Sequence, residues 1–115
     1  MHELSLSEEI VRTAISASRT DKSRIAAVGV RVGALSAANV SSLEFCLRLV
    51  LDQHGMQHTE ARVTPVPAQV ECACGHCYQT EDMFGACPAC GGYVREVTEG
   101  KDVTIEYVEV EDEEG

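Results

Sequence analysis

The chain has 115 residues, 44% of them hydrophobic and 24% charged, with nine glycines and three prolines. That length holds one compact domain, or one domain with a small appendage, and the composition excludes both disorder and collagen-like structure. Nine basic residues face nineteen acidic ones, and the formal charge of -10 repels phosphate backbones and anionic membrane surfaces. No apolar run reaches the roughly 20 residues of a membrane span, and Met1-His2-Glu3-Leu4-Ser5 lacks the basic-then-apolar pattern of an export signal. The expectation is a cytoplasmic protein with no nucleic-acid or membrane partner.

A helix is expected first. Ser5 and Glu8 have capping-box spacing, and Leu6, Ile10, Val11, Ala14 and Ile15 recur at helical intervals up to the polar break from Ser18 to Ser23. From Arg24 to Val32 the pattern alternates, with Val28, Val30 and Val32 on one face, and predicts a half-buried strand ending at Gly33. Ser41 and Glu44 form a second capping-box pair, opening a helix that runs to about Asp52 or His54. Its polar positions make one narrow stripe, so this helix is expected to be the most buried element, with Cys46 as a small core residue. A second strand is expected from Thr59 to Val66, bounded by Pro65 and Pro67.

The segment from Glu71 to Val97 is rich in glycine and cysteine and poor in residues that build an apolar core. After Gly100, Val103, Ile105 and Tyr107 alternate with polar residues and predict a strand that returns to the first sheet, which makes the cysteine segment an insertion. The expected fold class is therefore α+β: a small mixed sheet with two helices, formed by residues 1–68 and 101–115, plus an inserted zinc-ribbon domain at 69–100. The closing run from Glu109 to Glu114 carries five carboxylates in six residues and reads as a solvated end.

Five of the six cysteines fall between Cys72 and Cys90, a clustering that favours a metal over disulfides. Cys74-x-x-Cys77 and Cys87-x-x-Cys90 are two matched pairs separated by nine residues. Each pair fits a tight turn aiming two thiolates at one point, and four sulfurs complete a tetrahedral, closed, structural Zn²⁺ site. Metal binding would supply most of the segment's folding free energy, on the order of 10 kcal/mol. Cys72, two residues before Cys74, is the alternative ligand. A redox dithiol is the competing chemistry, but it calls for a single pair beside a strand-to-helix junction. His76, inside the first pair, is either a donor to the ligands or an exposed loop residue.

The chain also opens on a chelating pattern. An imidazole one residue from a free α-amine binds Ni²⁺ or Cu²⁺ through the Met1 amine, the deprotonated His2 amide and the His2 ring, although a histidine near a terminus is otherwise an ordinary exposed residue. His54 and His58 lie four apart with Gly55 between them and read as surface residues. No catalytic constellation is visible, and the chain is not expected to be an enzyme.

Met1-His2-Glu3-Leu4-Ser5, Val32-Gly33-Ala34-Leu35-Ser36, Ser41-Ser42-Leu43-Glu44-Phe45 and the Glu71-Cys72-Ala73-Cys74 entry to the paired cysteines together resemble the HypA/HybF family. These are nickel chaperones of [NiFe]-hydrogenase maturation, and the likeness covers nearly the whole chain in the family's order. The resemblance implies a nickel domain joined to a zinc domain. It implies Ni(II) at His2, with the neighbouring Met1 backbone and Glu3, and structural zinc at Cys74, Cys77, Cys87 and Cys90. As partners it implies a HypB-like GTPase, the hydrogenase large subunit and urease accessory proteins. One departure is Asn39, a neutral amide aligned with a position where some relatives carry an acid beside the nickel. The runner-up function is a zinc-ribbon adaptor for protein or nucleic acid. That reading needs a basic, aromatic face, yet the ribbon sets Arg95 and Lys101 against Glu71, Glu81, Asp82, Glu96 and Glu99.

Overall fold

The computed structural model describes residues 3–82 and 84–111. Eight main elements follow in order: helix α1 (Glu3–Ser18), strand β1 (Ile25–Gly33), helix α2 (Val40–Gln53), and strands β2 (Glu60–Val66), β3 (Ala68–Cys72), β4 (Cys77–Thr80), β5 (Arg95–Glu99) and β6 (Val103–Val110). The strands form two sheets, ordered β2-β1-β6 and β4-β3-β5. In the first, β1 runs parallel to β2 and antiparallel to β6, so the sheet is mixed. The second is antiparallel throughout. Two helices with small mixed and antiparallel sheets make the chain α+β, as expected from its pattern.

The core lies between the helices and one face of the first sheet. Ser7, Ile10, Val11 and Ala14 recur at helical spacing and form the buried stripe of α1. Leu43, Leu47, Val50 and Leu51 do the same on α2. Both stripes meet Val28, Val30 and Val32, which point to one side of β1 because strand side chains alternate. Burying a side chain of this size contributes about 1.5–3 kcal/mol, and a dozen residues share this cluster.

Three local expectations are corrected. Helix α1 already begins at Glu3, two residues before Ser5, so Ser5 is inside the helix and does not cap it. The cap of α2 is Asn39, not Ser41: Asn39 is extended (φ -90°, ψ 123°) and its Oδ1 accepts the Ser42 N–H at 2.9 Å. The most buried element is β1 rather than α2. As the central strand, β1 is covered on both edges and on its helical face, whereas Phe45 on α2 is 68% exposed. Pro65 sits inside β2, which its edge position permits, because one side of that strand has no ladder to serve.

The chain crosses between the sheets at Pro67 and again around Gly100. Gly33 and Leu35 donate their N–H groups to the carbonyls of Asp102 and Gly100, both at 2.9 Å, and Ala34 donates to Val66 at 2.9 Å. At φ +86°, a Cβ on Gly100 would lie 2.5 Å from the Ala68 Cα. Only glycine allows the two crossings to pack backbone against backbone there.

Candidate metal centres

Strand β3 alternates Ala68, Val70 and Cys72 inward with Gln69 and Glu71 outward, so Cys72 continues the buried face. The chain then turns sharply. Gly75, at φ +96°, donates to the Cys72 carbonyl at 2.8 Å, and Cys72 donates to the His76 carbonyl at 2.9 Å, which brings Cys74 back over Cys72. A matching turn precedes β5: Gly91, at φ +76°, donates to the Cys87 carbonyl at 2.8 Å and Cys87 donates to Gly92 at 2.9 Å. The Ala73 N–H donates to the Val94 carbonyl at 2.8 Å and locks one turn against the other.

These turns gather four sulfurs, those of Cys72, Cys74, Cys87 and Cys90, all within 4.8 Å of one another. The Sγ atoms of Cys72 and Cys90 are 3.6 Å apart and those of Cys74 and Cys87 3.8 Å. A tetrahedral Zn–S₄ centre with bonds of about 2.3 Å has sulfur–sulfur edges of about 3.8 Å, the spacing of these two pairs. Backbone N–H groups point at the sulfurs, from Ala89 to Cys87 at 3.4 Å and from Gly92 to Cys90 at 3.3 Å. Burial pushes the Cys87 thiol up, but the N–H groups of Cys90 and Ala89, with Cys72 and Cys74, outweigh it and bring the thiol down to about 7. The Gly92 N–H lowers the Cys90 thiol, yet the crowding thiols of Cys72 and Cys74, aided by burial, drive it up to about 12.

The structure brings Cys74, Cys87 and Cys90 together as expected, but Cys77 stands outside the group and Cys72 takes its place. The reason is strand parity. Cys77 opens β4 directly opposite Glu71, and paired residues in an antiparallel ladder share a face. Cys77 therefore lies on the exposed face with Glu71, opposite to the face of Cys72. The apolar alternation of Ala68, Val70 and Cys72 was the signal in the sequence, and counting C-x-x-C spacing alone passes over it.

Of the N-terminal nickel residues, Met1 and His2 lie outside the described residues. The Glu3 carboxylate accepts the Asn39 N–H at 3.3 Å, which places the departing amide beside the start of α1. His76 is exposed and stacks on Tyr78 with ring centroids 5.9 Å apart. His54 caps the end of α2, and His58 is exposed in the turn that follows. Among the described residues, neither joins a group of metal donors.

A family model described as HypA, hydrogenase/urease nickel incorporation, metallochaperone, matches residues 1–110. The hydrogenase maturation factor HypA of Methanocella arvoryzae is 31% identical over 113 residues, covering 96% of this chain and 99% of that protein. The HypA of Methanothermobacter thermautotrophicus is 32% identical over 119 residues, covering 96% and 98%. The solution structure of the nickel metallochaperone HypA from Helicobacter pylori superposes with a TM-score of 0.66 at 18% identity, covering 98% of this chain and all of that one, which is a likeness of fold. A match over residues 1–110, joined by two near-full-length relatives above 30% identity, makes this chain a member of the HypA family of nickel-incorporation metallochaperones.

Proposed function

We propose that the chain carries Ni(II) at its N-terminus and hands it on for [NiFe]-hydrogenase maturation, using a structural zinc centre to hold its second sheet. The single observation that carries this reading is the family match over residues 1–110, which includes the Met1-His2-Glu3 start. The nickel is cargo. Its donors are the Met1 amine, the His2 amide and the His2 ring, a nitrogen set suited to Ni²⁺ in a planar or tetragonal field, with the Glu3 carboxylate available as a further ligand. Zinc is held by Cys72, Cys74, Cys87 and Cys90, whose sulfur spacing supports a closed site with no open position for water. The division is a nickel unit of residues 1–68 and 101–115 and a zinc unit of residues 69–100.

The protein acts as a cytoplasmic carrier and not as an enzyme. Its partners are a HypB-like GTPase and the hydrogenase large subunit, with urease accessory proteins as further recipients. The charge of -10 suits solvated protein docking and opposes nucleic acid. The test is complementation of a host lacking its own HypA. The native chain restores hydrogenase activity at low nickel, and His2→Ala does not. Failure of both, together with salt-sensitive binding to RNA or DNA, would move the chain to the adaptor reading.

A further inference from the structure

Where the chain crosses between the sheets, a recess of about 210 Å³ opens beside the outer face of the first sheet. Its frame is fixed, because the carbonyls of Gly100 and Asp102 accept the N–H groups of Leu35 and Gly33. Arg31 lines it: Val30 and Val32 turn into the core, so Arg31 faces outward from the central strand, paired in register with Thr64 and Thr104. Arg62 on the same face is fully engaged. It donates to Glu60 at 2.9 Å and to the Tyr107 hydroxyl at 3.3 Å, and pairs with Glu109 at 3.3 Å. Arg31 is half-buried, yet among the described residues it has no ion pair and no side-chain hydrogen bond. Lys101, Glu99 and Asp102 line the same recess, and among the described residues none of these three charges is ion-paired either. Two cations and two carboxylates thus share a small space without meeting one another.

We propose that this recess binds a small free α-amino acid, held by both of its charges. The ligand carboxylate takes the Arg31 fork and the Lys101 ammonium, with the Thr104 hydroxyl as a further donor, and the ligand ammonium takes Glu99 and Asp102. Thr98 serves the ammonium side. Its hydroxyl proton goes to the Gln69 carbonyl at 3.2 Å, which leaves its oxygen lone pairs to accept. A phosphate dianion would meet the two carboxylates and a simple amine the two cations, so a zwitterion is the ligand that satisfies all four charges. The recess, about 210 Å³, is smaller than the roughly 300–1,000 Å³ of sites for drug-sized ligands, so the side chain is short, with Val66 as its apolar contact. The inference rests on the crossing and not on the nickel reading, so the two stand or fall separately.

The test titrates the full, zinc-loaded chain with alanine at constant ionic strength and follows backbone amide shifts. Saturable shifts centred on Arg31, Gly100, Lys101, Asp102 and Thr104 are expected. N-acetylalanine, which keeps only the carboxylate, and alaninamide, which keeps only the ammonium, should each bind about tenfold more weakly. Arg31→Gln should abolish the saturable shifts, whereas Arg62→Gln, the same charge change on the same face, should keep them. Should Arg31→Gln fail to fold, the exposed Lys101→Gln supplies the comparison, with binding weakened about fivefold. No saturable shift with alanine, or undiminished binding in Arg31→Gln or Lys101→Gln, would overturn the proposal. Equal binding of N-acetylalanine would reduce the recess to a plain carboxylate site, equal binding of alaninamide to a plain cation site, and either result would overturn it too.

Discussion

The backbone N–H of Asn39 donates to the Glu3 carboxylate at 3.3 Å while its side chain caps α2 through Ser42 at 2.9 Å. One residue thus serves two helix starts. It orients the first turn of α1, directly after the proposed nickel donors, and satisfies an otherwise orphaned N–H of α2. Asn39→Ala removes the cap and costs about 1 kcal/mol, lowering the thermal midpoint. Asn39→Asp keeps the cap and complements the helix dipole, so it melts at or above the native midpoint. A loss in both variants alike would show that the cap does not hold α2.

Gly100 is expected to tolerate no side chain. A Cβ there would come 2.5 Å from the Ala68 Cα and 2.8 Å from the Pro67 carbonyl oxygen, at a φ of +86°. Gly100→Ala therefore destabilises by about 2 kcal/mol or more in chemical denaturation. Gly55→Ala, at φ +74° but with open space around it, costs less, and equal costs would contradict the close-packed crossing.

Ser7 is fully buried on α1 and, among the described residues, its Oγ finds no hydrogen-bond partner. An unsatisfied buried hydroxyl costs about 1–3 kcal/mol, so Ser7→Ala should raise stability by about 1 kcal/mol. A fall in stability would reveal a partner for that hydroxyl.

The proposed zinc centre gives a prediction opposite to the one its cysteine spacing suggests. Cys72→Ser and Cys87→Ser lose the metal, whereas Cys77→Ser keeps one zinc per chain by elemental analysis. The retained site is also acid-sensitive. The Cys87 thiol, brought from 9.0 to about 7 by N–H donors against its burial, favours the thiolate in the folded chain. In the metal-free chain that contribution is complete above the unfolded value and is lost as the pH falls through about 7, and in the zinc-loaded chain protons compete with the metal for the same thiolates. A chromogenic chelator should therefore draw zinc faster below about pH 7 than above about pH 9. Zinc loss in Cys77→Ser with retention in Cys72→Ser would restore the spacing-based ligand set.

Much of this was legible in the residues, for identifiable reasons. Val28, Val30 and Val32 alternate and Ile10, Val11 and Ala14 recur at helical spacing, and both periods follow from backbone geometry that tertiary packing left intact. The helix starts were not legible in the same way. Ser5 and Ser41 have capping-box partners, but the cap is set by whichever residue is extended at the chain's entry, which for α2 is Asn39. The choice of Cys72 over Cys77 depended on which side of a strand each thiol faces. That is fixed by the register of Glu71 with Cys77, a long-range pairing that no local motif encodes.

The central claim, nickel at the N-terminal amine and imidazole, is tested most directly by spectroscopic Ni(II) titration of the zinc-loaded chain beside His2→Ala. The native chain should take up one nickel with a planar or tetragonal d–d spectrum, losing affinity as the pH falls through about 6.5, where the imidazole protonates. His2→Ala should take up none, with zinc content and helicity unchanged. One tight nickel per chain in His2→Ala would contradict the account and direct the search for donors to His54, His58 and His76.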